Sequence, residues 1–220
     1  MIVNTMTFDE ISEYLLKNCF TSKNSKELYA KHVVPKMKLY RRECIKWNQK
    51  QVRPMFRKFK HIITKGIYDE EVVFVPFCTN KTHVDYIVFT QFYYRGSRYV
   101  AFQQSHNMSV VYYSWHCLKR YSERFLKEDE ANINIDFISD MLIRNTSAKR
   151  ITYEYKGETT IMNVSTDGSF LCDEYKKSVV ARTFISHDEY FPNQEKLDKT
   201  AFEELRKYKK EKFGYWLVRA

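Results

Sequence analysis

The sequence predicts an α+β fold, with an N-terminal helical region followed by a mainly antiparallel sheet and packed helices. Three observations predict it. Apolar residues recur every three or four positions up to about residue 65; β-branched and aromatic runs separated by turn signals take over from Glu71; and two helical stretches interrupt those runs. The 220 residues are 44% hydrophobic and 16% aromatic, with only five Gly and four Pro, which excludes a disordered chain. Residues 1–68 are therefore expected as a basic helical region and 69–220 as an α+β sheet domain, either separate or run together as one.

The first helix is announced by Thr7-Phe8-Asp9-Glu10, the spacing of a capping box, followed by Ile11, Tyr14, Leu15 and Asn18 on one face. Asn24 with Glu27 offers a second start, and Pro35 opens a third helix, because proline costs least in a first turn. Met37, Tyr40, Cys44 and Trp47 form its apolar stripe, and Pro54 should end or kink it. Met55, Phe56, Phe59, Ile62 and Ile63 suggest one more helix, stopped by Gly66. This gives three or four helices.

The strands follow. Val72-Val73-Phe74-Val75 has the residues of a buried strand. Tyr86–Tyr94 and Arg98–Gln103 flank Arg95-Gly96-Ser97 as a hairpin. Helices are expected from about Val110 to Lys127 and from Ile135 to Arg144. Ile151–Tyr155 and Thr160–Val164 flank Lys156-Gly157. Asp167-Gly168 turns the chain into Ser169–Cys172, and Val179–Ile185 is the last strand. Asn193 would cap a terminal helix in which Leu197, Ala201, Leu205 and Tyr208 share a face, ending near Gly214. No internal repeat is present.

Five scattered cysteines (Cys19, Cys44, Cys78, Cys117, Cys172), none in a CxxC pair, argue against a disulfide framework and against a thiolate zinc site. MIVNTMTFDE does not read as a signal peptide, and the longest apolar run, Val72–Cys78, is too short to span a bilayer. A cytoplasmic protein is expected. His83, His106 and His187 lie at strand ends, but no HxH or HExxH spacing supports a metal site, and Asp85 and Asp167 are turn residues first. No phosphate-cradling glycine loop is present. No metal or cofactor is expected.

Net charge is +10, and its distribution matters more than its size. Between Lys31 and Lys65 twelve Lys/Arg face a single acid, Glu43. Such an excess attracts polyanions. Lys38, Arg41, Arg42, Lys46, Lys50, Arg53, Arg57 and Lys58 are the candidate phosphate contacts. Trp47, Phe56 and Phe59 among them suit either core packing or base stacking. Nucleic acid is the expected partner, RNA ahead of DNA. The alternative is a non-catalytic module whose basic face meets an acidic protein. A membrane-surface role is disfavoured, since the basic segment is broken by prolines and lacks one broad apolar face.

The most specific local pattern runs from Trp115 to Arg124. On an α-helix Val111, Trp115, Leu118, Ser122 and Phe125 would meet the core. His116, Arg120 and Arg124, spaced by four, would drift only about 40° per step along the opposite flank. Guanidiniums suit a phosphate and an imidazole moves a proton near neutral pH. The same face also reads as an ordinary solvated one, with Lys119–Glu123 and Arg124–Glu128 as helical ion pairs. The stretch resembles the HxxxRxxER signature of small toxin and mobile-element domains in the barnase–EndoU–colicin–RelE ribonuclease-like group. His116, Arg120, Glu123 and Arg124 match that signature, while Tyr121 stands for the usual Met and Phe125 for the usual Gly. The resemblance covers about ten residues. It implies a metal-independent endoribonuclease in which His116 is the acid or base, Arg120 and Arg124 hold phosphate, and a late strand supplies Thr183 or Arg182.

Overall fold

The computed structural model describes residues 1–20, 22–49, 57–66, 68–78, 83–103, 109–128, 133–146, 148–155, 158–190 and 200–208. It is an α+β protein with helices first and mostly antiparallel strands after them. The chain divides into two compact units, Met1–Val111 with Lys176–Ser178, and Tyr112–Tyr175 with Val179–Ala220. The expected boundary at 68/69 falls within a strand hairpin of the first unit.

In the first unit, α1 (Phe8–Asn18) starts at the predicted capping box. Thr7 accepts from the Glu10 amide (3.3 Å) and Glu10 accepts from the Thr7 amide (2.6 Å). Ile11 and Leu15 are fully buried on its inner face. After α2 (Ser22–Leu28), a π-helical turn (Tyr29–Val33) and a 3₁₀ turn (Val34–Lys36) containing Pro35 lead into α3 (Met37–Gln49). Tyr40 and Cys44 of α3 are buried as their spacing requires.

The strands β1 (Ile62–Lys65), β2 (Glu71–Cys78), β3 (Val84–Tyr94) and β4 (Ser97–Gln103) lie side by side in that order. Strand β2 is buried at every position from Val72 to Cys78, so both its faces are covered, which is why it reads as a continuous apolar run. Arg95 and Gly96, both at positive φ, make the tight turn between β3 and β4.

One helical expectation is corrected here. The stripe ending in Ile62 and Ile63 is β1, not a helix, because Ile62 pairs with Phe74 and Ile63 with Val73; its earlier residues Met55 and Phe56 lie outside the described residues, as does Pro54. A period of three or four over a few apolar residues does not distinguish helix from strand, and β-branched Ile62-Ile63-Thr64 favour the strand.

A second finding concerns cysteine. Cys44 of α3 and Cys78 of β2 form a disulfide, with Cα atoms 6.1 Å apart, a single bond where scattered cysteines argued against a disulfide framework. Distance in sequence hid the pair; the fold brings 44 and 78 together. Closing a loop of 34 residues stabilises by roughly 3–4 kcal/mol against the unfolded chain.

In the second unit the strand order is β5-β9-β8-β7-β6. Strand β5 (Val110–Ser114) replaces the start of the helix expected from Val110, since Val-Val-Tyr-Tyr is a strand sequence and Ser114 supplies the cap from which α4 (Trp115–Tyr121) begins. A π-helical turn (Ser122–Leu126) extends α4, and Asn134 caps α5 (Ile135–Arg144). Strands β6 (Lys149–Tyr155), β7 (Glu158–Val164), β8 (Gly168–Glu174) and β9 (Ser178–Ser186) form an antiparallel meander. Tyr153, Met162 and Val164 pack with Ala201, Phe202 and Leu205 of the helical stretch 200–208. Asn193, Leu197 and Gly214 lie outside the described residues.

Gly168, which opens β8 at φ +157°, leaves no room for a side chain. A Cβ there would collide with the Ile185 carbonyl oxygen and the Phe184 ring. Gly168→Ala is expected to lower stability by about 2 kcal/mol through overpacking and backbone strain. A shift of the urea midpoint reads it; an unchanged midpoint would show that β9 yields freely.

Candidate nucleic-acid interface and the His116 helix

In α3, burial of Tyr40 and Cys44 forces the intervening residues outward. Lys38, Arg41, Arg42 and Lys46 are exposed, as are Lys31 and Lys36 just before the helix. The one acid of the segment, Glu43, accepts from Lys46 at 3.1 Å. Local electrostatics register the excess. The His32 imidazole is held below its ordinary pKa, first by partial burial and then by Lys31 and Lys36. Arg57 is exposed and Lys58 half-buried beside the Lys58–Phe77 bridge. Lys50 and Arg53 lie outside the described residues, as do Phe56 and the Trp47 side chain. Phe59 stacks on Tyr40 with ring centroids 3.8 Å apart, so it packs rather than awaits a base.

The α4 segment is built differently from the spacing argument. Ser114 accepts from the Cys117 amide (3.1 Å) and donates to the Arg182 carbonyl (2.9 Å), which sets the first turn of α4 alongside the strand carrying Thr183. His116 is exposed on that turn, while Cys117 and Leu118 are buried. Arg120 pairs with Glu123 at 2.9 Å. The π-helical turn then widens the helix and breaks the four-residue spacing before Arg124. The Arg124 guanidinium donates to the Phe184 carbonyl of β9 (2.9 Å) and pairs with Glu189 (3.3 Å). Thr183 is half-buried opposite Leu171, and Arg182 pairs with Asp173 at 3.0 Å. The Ser114–Arg182 bond thus ties the start of α4 to β9, whereas Arg120 and Arg124 are each engaged by oxygen atoms of the protein.

A polar cluster not singled out in the sequence lies behind α4. The Asp167 carboxylate, 1% exposed, accepts from Tyr121 (2.6 Å), from Arg144 Nε and Nη2 (2.8 and 2.5 Å) and from Asn145 (3.0 Å). Burial pushes the Tyr121 hydroxyl well above its ordinary pKa, and the Asp167 charge adds to that. Burial works against the Arg144 charge, but the bonds and charge of Asp167 outweigh it and raise the guanidinium's pKa. Arg144 also sits 5.0 Å from the Phe125 ring centre. Tyr121 belongs to the HxxxRxxER stretch, so its side chain anchors that helix rather than facing solvent. The signal for Asp167 was present only as a DG turn, and nothing local marks its partners.

Among the described residues no group of three or more His, Cys, Asp and Glu is placed to hold a metal ion. His83 belongs to the first unit and His187 to the second, where its Nε2 lies 3.3 Å from the Thr166 carbonyl; His106 lies outside the described residues. No described helix is long and apolar enough to cross a membrane. Compared with protein-family models, curated proteins and solved structures, the chain matches none of them.

Removing the Asp167 charge leaves a largely enclosed guanidinium without its counter-ion. Asp167→Asn is expected to cost about 3 kcal/mol, the low end for a broken buried pair because 29% of the Arg144 side chain still meets water. Chemical denaturation monitored on the far-UV signal measures it. A loss under about 1 kcal/mol would mean the carboxylate is readily replaced.

Proposed function

We propose that this chain is a nucleic-acid-binding protein that contacts phosphates through the outward face of α3, RNA ahead of DNA, with no membrane role. The observation that carries the reading is the exposure of Lys38, Arg41, Arg42 and Lys46 on a helix whose opposite face is buried. The fold fixes these cations outward, so their field is presented to solvent rather than folded inward. A helix of 13 residues is about 20 Å long, enough to follow several phosphates of one strand.

Affinity should fall steeply with salt. Arg41→Gln with Arg42→Gln should weaken binding and reduce the slope of log K against log salt by about 1.4, from about 0.7 per phosphate contact on a single strand. Fluorescence anisotropy with a labelled oligoribonucleotide at several salt concentrations measures both. An unchanged slope would remove α3 from the interface. Capture of an acidic polypeptide that polynucleotide does not displace would point instead to an acidic protein partner.

The second reading is a metal-independent endoribonuclease centred on His116, with Arg120, Arg124 and Thr183. The Ser114–Arg182 hydrogen bond supports it, because it ties the helix start two residues before exposed His116 to the strand residue next to Thr183. Incubation of RNA in excess chelator should give cleavage by the native protein and at least a hundred-fold less by His116→Ala, the scale of lost acid–base catalysis. RNA left intact by both proteins would leave the binding reading alone.

A further inference from the structure

The basic helix is held in place by two contacts. Tyr40 stacks on Phe59, whose amide donates to the Pro76 carbonyl at 2.8 Å, and Cys44 is bonded to Cys78 at the end of β2. The Cys78 amide in turn donates to the carbonyl of Arg57, itself an exposed cation, at 3.0 Å. One disulfide therefore ties α3 to the strand end beside which the Arg57 segment also runs. Both cysteines are completely buried, with Cα atoms 6.1 Å apart, inside the range a disulfide spans without moving the backbone. The other three cysteines are buried thiols whose pKa values burial raises, so they do not compete in exchange.

We propose that the Cys44–Cys78 disulfide is a redox lock on the basic face, which holds α3 in its binding geometry when formed and releases it when reduced. The proposal rests on the nucleic-acid reading of α3 and adds its regulation. The reductant is a small thiol of the glutathione class. Its thiolate attacks one sulfur of the bridge, and the other leaves as a thiolate and takes a proton. A second small thiol then resolves the mixed disulfide, so two protein thiols form while two small thiols become one small disulfide. Because neither sulfur meets solvent, the attack requires α3 to lift from β2. Anything that holds α3 down must slow the reaction, and by linkage whatever prefers the locked form is bound more weakly once the lock opens.

The test uses the full chain, oxidised or reduced with dithiothreitol, with the two states verified by mass after thiol alkylation. Without nucleic acid, amide hydrogen exchange across residues 37–49 should be faster in the reduced form; equal exchange overturns the lock. With an oligoribonucleotide, the reduced form should bind about five-fold or more weakly, and the oligoribonucleotide should slow reduction of the oxidised form. Equal affinity in the two states overturns the proposal even if exchange differs. If neither state binds, the nucleic-acid reading fails, and the exchange measurement alone judges the lock. Cys44→Ser with Cys78→Ser should behave as the reduced form; should that variant not fold, the reduced native chain supplies the comparison.

Discussion

A carboxylate taken out of water must be met by charge and hydrogen bonds, and the second unit is organised around meeting one. Asp167 gathers Tyr121 from α4, Arg144 and Asn145 from the end of α5, and its own turn before β8. Uncompensated, such a group would cost several kcal/mol, so the elements that carry its partners are fixed relative to each other. The surrounding bonds extend the constraint. Thr166 donates to the Arg144 carbonyl at 2.9 Å, and Ser165 closes the turn onto Gly168 at 2.8 Å. Such a network contributes less to net stability than to uniqueness, because a shifted α4 or α5 would strand a charge where a shifted leucine would merely repack. The exposed position of His116 follows from it. With Tyr121 drawn inward to Asp167 and Leu118 buried, the helix has one rotation available, and that rotation turns residue 116 to solvent.

The first unit solves the opposite problem. The cations of α3 are left in water, and the helix carrying them is oriented by apolar contacts and by the Cys44–Cys78 bond. Tyr40 and Cys44 lie inward four residues apart, and Arg41 and Arg42 between them point out. The cations of α3 are therefore placed by burial of their neighbours, which makes the basic surface a consequence of packing and independent of ionic strength. Their mutual repulsion is modest at solvent-exposed sites and is relieved when an anion arrives.

This contrast explains what was legible in the sequence. The fold class, the Thr7–Glu10 cap, the β3–β4 hairpin and the outward cations of α3 all follow from periodicity and local turn chemistry, which act within a few residues. The Asp167 cluster joins positions 121, 144, 145 and 167, and the disulfide joins 44 and 78; neither leaves a local trace. The segment around Ile62 was misread because its strand character depends on β2 beside it, and the start of the Val110 segment because β5 needs neighbouring strands to exist. The spacing of His116, Arg120 and Arg124 suggested a single groove only under a regular α-helix. The π-helical turn at Ser122–Leu126 removes that premise, and Arg124 goes to the Phe184 carbonyl and Glu189 instead.

Charge and redox chemistry meet in α3. A short helix rich in Lys and Arg has little intrinsic reason to stay folded beside a sheet, since its cations repel and its buried stripe is narrow. An apolar stripe alone would hold it, but would let it fray and return on fast timescales. A covalent tie at Cys44 sits in the second half of the helix, past Tyr40, so the stacked ring and the sulfur restrain two successive turns. Whether α3 presents a fixed row of cations or a loosely attached one then depends on the poise of the surrounding thiols, which cytoplasmic and secretory compartments set differently. Scattered cysteines, which argue against a disulfide framework, still leave room for one bond placed where the charge is.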